Sequence, residues 1–129
     1  MNQETLYEDK LVIINNYSIT IKNYYFPSHS CIIVKYDDIA RVTVKQPTIT
    51  TGKYRYWGTG DFVHWYPMDK NRSRRDLIFF LYRKNKKIII GFTVENSGKV
   101  KEIFAAKGFL KWLIYNLNNW VENDWYDLF

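Results

Sequence analysis

From residue 76 to residue 107 the chain alternates apolar runs with charged breaks, and that order sets the reading of everything around it. D-L-I-F-F-L-Y is followed by R-K-N-K, then by K-I-I-I-G-F-T-V, then by E-N-S-G-K-V-K-E-I-F-A-A-K. Two apolar runs about a charged turn predict a β-hairpin, and the last segment predicts a helix over residues 98–107 with Val100, Ile103, Phe104 and Lys107 on one face. Asn96 or Ser97 suits the N-cap and Gly108 the left-handed C-cap. The strand over residues 77–82 is apolar on both faces, with Leu77, Phe79 and Leu81 on one and Ile78, Phe80 and Tyr82 on the other. Such a strand must be covered twice, and the C-terminal region is the expected second cover.

Upstream the pattern repeats as hairpins. Residues 10–14 and 17–25 read as strands about Asn15-Asn16, because asparagine tolerates the positive φ of a tight turn. Tyr17, Ile19 and Ile21 alternate there with Ser18, Thr20 and Lys22, and Phe26-Pro27-Ser28 stops the run. Residues 31–35 and 39–45 follow as strands about Tyr36-Asp37-Asp38. Residues 47–53 form the longest expected loop. A further hairpin joins residues 54–57 to 62–66 over Gly58-Thr59-Gly60-Asp61, and residues 67–75 connect it to the apolar hairpin. Past Gly108, Leu110, Leu113, Ile114, Leu117, Trp120 and Val121 fall at helical spacing and predict a second amphipathic helix. The expected architecture is mainly β: a small antiparallel barrel or sandwich closed by a helix.

Charge sharpens this picture. The formal net charge is +6 over 129 residues. Three lysines face five acidic residues in 1–40, sixteen Lys and Arg face five acidic residues in 41–111, and residues 112–129 carry three acids and no base. The middle is the electropositive part, which either meets an anionic partner or serves solubility. Cys31 is the single cysteine; it has no disulfide partner, is expected as a small buried or half-buried apolar residue, and suits a reducing compartment. An acidic, polar start without an apolar run, and apolar stretches far shorter than a bilayer span, give the expectation of a cytoplasmic chain with no transmembrane segment.

Catalytic and metal patterns are sparse. His29 and His64 lie in different hairpins without a Cys-x-x-Cys or His-x-x-x-His partner, so no metal and no cofactor is expected. Gly58-Thr59-Gly60 lacks the Gly-Lys and the helix of a phosphate loop. Asp61, His64 and Asp69 would be the centre of a hydrolase if they converged; a hydrogen-bonded turn with a structural histidine is the competing account. Lys53-Tyr54-Arg55-Tyr56-Trp57 and His64-Trp65-Tyr66 interleave cations with rings, as single-strand nucleic-acid grooves do, and as strands with core-facing rings also do. Asp69-Lys70-Asn71-Arg72-Ser73-Arg74-Arg75-Asp76 is the densest charge cluster. Its arginines suit phosphate or carboxylate recognition, or else Asp69 and Asp76 pair with Arg72 or Arg75 to pin the loop. A second basic turn over residues 83–87 lies at the far end of the strand, on the order of 20 Å away. Trp112, Trp120 and Trp125 in the terminal segment point to self-docking, oligomerisation or a protein partner.

Several hairpins, a strand doublet and a capping helix resemble the order of the pleckstrin-homology-like (PH-like) fold, and of small bacterial PH-like domains in particular. The resemblance is carried by Tyr36-Asp37-Asp38-Ile39, taken as the turn after the third strand, and by Gly91-Phe92-Thr93-Val94-Glu95-Asn96 leading into the helix. It spans residues 6–107 and implies an antiparallel bent barrel of about seven strands with a C-terminal helix, hence a domain over 1–108 and a Trp-rich extension over 109–129. The implied roles are binding ones: lipids, peptides or partner domains. Members that bind phosphoinositides carry basic residues between the first two strands, where the expected loop here is Asn15-Asn16. The leading expectation is a non-enzymatic module for a protein or peptide partner or for self-association. Its alternative is an anion-binding module for nucleic acid or acidic lipid. The residues expected to bind are Lys53, Arg55, Trp57, Trp65, Arg72, Arg74, Arg75, Trp112 and Trp120.

Overall fold

The computed structural model describes residues 4–47 and 57–110. The strand expected over residues 54–57, except Trp57, most of the loop over 47–53 and the second helix beyond Leu110 lie outside the described residues. What is described is mainly β: two sheets and one helix.

The first sheet is an antiparallel meander of β1 (Thr5–Glu8), β2 (Val12–Asn15), β3 (Ser18–Ile21) and β4 (Ile32–Lys35). β1 was not expected. Its T-L-Y-E sequence has no buried position to give a period, and it pairs with β2 through a register shift between Thr5 and Tyr7. Asp9 makes the first turn, its Oδ1 accepting from the Leu11 N–H at 2.7 Å and the Val12 N–H at 2.9 Å. The loop between the first two strands is therefore residues 9–11, not Asn15-Asn16, and Tyr36–Asp38 follows the fourth strand, not the third.

The second turn also differs from expectation. Asn15 and Asn16 are not among the positive-φ residues; instead Asn15 Oδ1 accepts from the Tyr17 N–H at 2.8 Å and the Ser18 N–H at 2.7 Å, so a side chain closes the turn one residue later. That shift leaves Tyr17 exposed and Ser18 buried, and the expected alternation begins only at Ile19. β3 ends at Ile21, short of Tyr25, and Asn23 takes a φ of 52° in the loop that follows. In β4, Ile32 and Val34 point inward, so the period of two turns Ile33 and Lys35 outward. Cys31 ends the exposed loop before β4 and is itself exposed, not buried.

The second sheet has the order β5-β8-β9-β7-β6, with β5 (Ile39–Lys45), β6 (Gly58–Thr59), β7 (His64–Tyr66), β8 (Ile78–Arg83) and β9 (Ile89–Phe92). It is not wholly antiparallel. β7 runs parallel to β9, with His64 opposite Ile89 and Trp65 opposite Ile90. A parallel pair needs a crossover; here residues 67–77, the crossover loop, carry the chain past the end of β9, and β8 then returns it to the end where β9 starts.

β8 is buried on both faces, as its sequence requires. Phe79 and Leu81 enter the main core between the sheets with Val12, Ile14, Ile21, Val42, Ile90 and Phe92. Ile78 and Phe80 form a second cluster with Tyr66, against which Tyr82 and Ile89 pack. Among the described residues Tyr66 of β7 supplies this second cover; the C-terminal region beyond Leu110, the cover expected from the sequence, lies outside them. Gly91 makes it fit: a Cβ there would lie 2.5 Å from Tyr66 Cε1 and 2.9 Å from Phe80 Cε1.

Helix α1 (Ser97–Ala106) closes the main core. Asn96 caps it, Oδ1 accepting from the Lys99 N–H at 3.1 Å, and Gly108 leaves it at a φ of 87°. Val100 and Phe104 are buried, and the Phe104 ring meets Phe79 edge-on at 5.7 Å. β1 is bound to the helix start: Tyr7 Oη donates to Asp9 Oδ2 at 2.5 Å and accepts from the Asn96 N–H at 2.9 Å. Burial, then the Asp9 contact, pushes the Tyr7 phenol up to about 12. No helix of the described residues is long and apolar enough to cross a membrane.

Candidate binding surface

The basic segment over residues 69–76 is built inward before it is built outward. The Arg72 side chain is buried, with Nη2 donating to the Pro67 carbonyl at 2.6 Å and the guanidinium 5.2 Å from the centre of the Tyr66 ring. Arg75 holds Asp69 by two hydrogen bonds, Nε to Oδ2 and Nη2 to Oδ1, each at 3.1 Å. Asp69, only 3% exposed, also accepts from the Asn71 N–H at 3.0 Å and from the Thr93 hydroxyl. Burial pushes the Asp69 carboxyl upward, but Arg75, Thr93 and the Asn71 amide outweigh it and hold the group below the usual carboxylate range. The same pairing raises Arg75 further. Thr93 directly follows β9, so Asp69 pins the crossover to the end of the strand it passes. Asp76 accepts from the Ser97 hydroxyl at 2.8 Å on both oxygens, tying the far end of the crossover to α1.

Of the three expected arginines, Arg74 alone is exposed. Lys53, Arg55, Trp112 and Trp120 lie outside the described residues. Trp57 is half-buried: its indole N–H donates to the Tyr24 carbonyl at 3.1 Å, and its ring packs on Phe26 and His29 with centroids 4.9 and 4.6 Å away. Trp65 packs against the main core.

Asp61 and His64 meet, but without Asp69. Asp61 Oδ1 accepts from the Val63 and His64 N–H groups, both at 2.8 Å, and Oδ2 lies 2.8 Å from His64 Nδ1. These contacts, the His64 amide first, hold the Asp61 carboxyl well below the usual carboxylate range. Asp69 is committed to Arg75 and Thr93, so no convergent triad forms and the arrangement is a braced turn. Among the described residues no three His, Cys, Asp or Glu side chains gather as a metal ion would need.

Besides Tyr25 and Phe26, sequence reasoning passed over two apolar exposures. One is the outer face of β3 and β4, where Tyr17 is 44% and Ile33 62% exposed. There Tyr17, Ile33 and Tyr36, rimmed by Asn16, Ser18, Lys35 and Asp37, line an open depression of about 720 Å³. Tyr36 is a fixed wall: its hydroxyl donates to the Asn15 carbonyl at 2.5 Å, its ring lies 5.6 Å from Phe109, and Lys107 Nζ stands 5.2 Å above it. Burial pushes its phenol up to about 12. The signal for this site was present in C-I-I-V-K, since three consecutive apolar residues in a one-sided strand leave one facing out. The other exposure is Phe62, at the tip of the turn braced by Asp61. Compared with family models, with curated proteins and with solved structures, the chain matches none.

Proposed function

We propose that this protein is a cytoplasmic, non-enzymatic binding module of the PH-like type whose ligand is an extended segment of a protein partner, laid along β4 across the depression. Strand order supports the PH-like part. With the β6–β7 hairpin set aside as an insertion, β1 to β4 form one meander and β5, β8 and β9 a second, and a helix follows directly. Those seven strands and α1 would be the bent barrel and its cap. The unpaired, exposed Cys31 suits a reducing compartment.

The observation that carries the binding reading is the position of Ile33. It is exposed on β4, and β4 is the last strand of its sheet among the described residues. An edge strand offers backbone donors and acceptors to an added strand, and the apolar floor beside it gives a side-chain pocket. Asn16, Ser18, Lys35 and Asp37 supply polar groups around that floor, as ligand sites commonly combine the two.

Peptides selected from a displayed library on the folded protein test this. Binding should fall by about tenfold or more in Ile33→Glu, the loss expected for an interface anchor, with urea stability unchanged because Ile33 faces outward. A library that yields no binders, or binders that hold Ile33→Glu as tightly as the unaltered protein, would overturn it.

A further inference from the structure

The parallel pairing of β7 with β9 has a geometric consequence at one end of the second sheet. Both strands start there, so the turn entering β7 and the turn entering β9 stand side by side, joined by the Ile89 N–H donating to the Val63 carbonyl at 2.8 Å. The first turn carries Phe62 and Val63 and the second Ile88, all three exposed, Phe62 at 79%. Phe62 is held in place. Its φ is 63°, a conformation that a bulky side chain resists. Its N–H donates to Thr59 Oγ1 at 2.9 Å, while the Asp61 carboxylate ties down the next two amides. The turn thus spends its polar groups on projecting an aromatic ring into solvent.

Charge surrounds the apolar crest. Lys86 and Lys87 immediately precede Ile88, Lys84 lies in the same turn, and all three are exposed with no ion pair among the described residues. Asp61, beside Phe62, is the exposed acid of the first turn, and its carboxylate accepts from that turn's own amides. Asp37 and Asp38 lie on the β5 side of β8, where the Asp38 carbonyl receives the Lys84 N–H at 2.8 Å. None of the crest residues lines the depression at Ile33.

We propose that this two-turn crest docks on an anionic lipid bilayer, with Phe62, Val63 and Ile88 entering the interfacial layer and Lys84, Lys86 and Lys87 meeting the headgroups. Phe62, Val63 and Ile88 stand exposed together on two adjacent turns, which suits insertion into a deformable layer. Lysine stems can lie along apolar surface while their ammonium groups stay at the headgroup level. The site is separate from the proposed peptide site and stands or falls without it.

Cosedimentation of the full chain with vesicles tests this, using phosphatidylcholine alone and phosphatidylcholine with about one-third phosphatidylserine, the anionic lipid that attracts basic segments. Binding is expected on the anionic vesicles, weakening as salt rises. Phe62→Asn, which keeps a residue tolerant of positive φ, should weaken binding about tenfold or more, the worth of one buried large apolar side chain. Each of Lys86→Gln and Lys87→Gln should weaken it about fivefold. No binding to the anionic vesicles would overturn the proposal. So would binding that Phe62→Asn leaves intact, which would make the attraction purely electrostatic. Self-association lost in Phe62→Asn, in a protein that ignores vesicles, would reassign the crest as a protein interface and overturn it equally.

Discussion

Asp69 holds Arg75 from inside the protein. The carboxylate is buried, the guanidinium reaches it with two nitrogens at 3.1 Å each, and the Thr93 hydroxyl donates to the same carboxylate from the end of β9. The pair therefore fastens the crossover that makes the parallel β7–β9 pairing possible. Removing one partner leaves the other charge without its match. Arg75→Ala should destabilise the fold by about 3 kcal/mol, read as a drop in the urea midpoint with the slope unchanged.

The same carboxyl sets an acid limit. Its folded pKa lies below the ordinary unfolded value of about 3.9. Its contribution is therefore complete at neutral pH and is lost as pH falls through that value toward the folded one. Asp61 acts in the same direction. Urea stability should be flat from about pH 7 to 5 and decline below about pH 4. Asp69→Asn should start lower at neutral pH and decline less in acid. An Asp69→Asn curve parallel to that of the unaltered protein would remove Asp69 as a cause.

Gly91 and Tyr66 make a paired test of the second cluster. A Cβ at 2.5 Å from Tyr66 Cε1 must displace the ring or the strand. Gly91→Ala should cost about 2 kcal/mol, as overpacking does. Tyr66→Leu shortens the obstacle, so adding Gly91→Ala to it should cost clearly less, a coupling that a double-mutant cycle in urea would measure. Additive effects would mean that the glycine is needed for some other reason.

Legibility in the sequence followed the range of the interactions. β5 matches the strand expected over residues 39–45, and the Asn96 cap and the Gly108 exit of α1 stand where short-range capping rules put them. β8 announced its two buried faces by composition alone. What escaped depends on distant partners. β1 has an irregular, polar sequence and is fixed by β2 and by Tyr7 reaching Asn96 across the chain. Arg72 reads as a surface charge until Tyr66 and the Pro67 carbonyl are seen to receive it. Ile33 was visible as an excess of apolar residues, but only the pleat says which of the three faces out.

Phe62 offers the last prediction, because there the local backbone and the exposed side chain pull in opposite directions. A φ of 63° is costly for phenylalanine, and with 79% of the residue exposed little burial offsets it. Thr59 and Asp61 must hold the turn against that preference. Asparagine adopts the left-handed region more readily. Phe62→Asn should therefore stabilise the protein by about 0.5–1 kcal/mol, raising Tm by a few degrees. Asp61→Ala should do the reverse and speed hydrogen exchange at the Val63 and His64 amides, which then lose their acceptor. If Phe62→Asn is neutral or destabilising, the ring contributes to folding and its exposure needs no binding role. If it stabilises, the native phenylalanine is held at a cost to the fold, the pattern expected where a surface residue is kept for contact with something outside the chain.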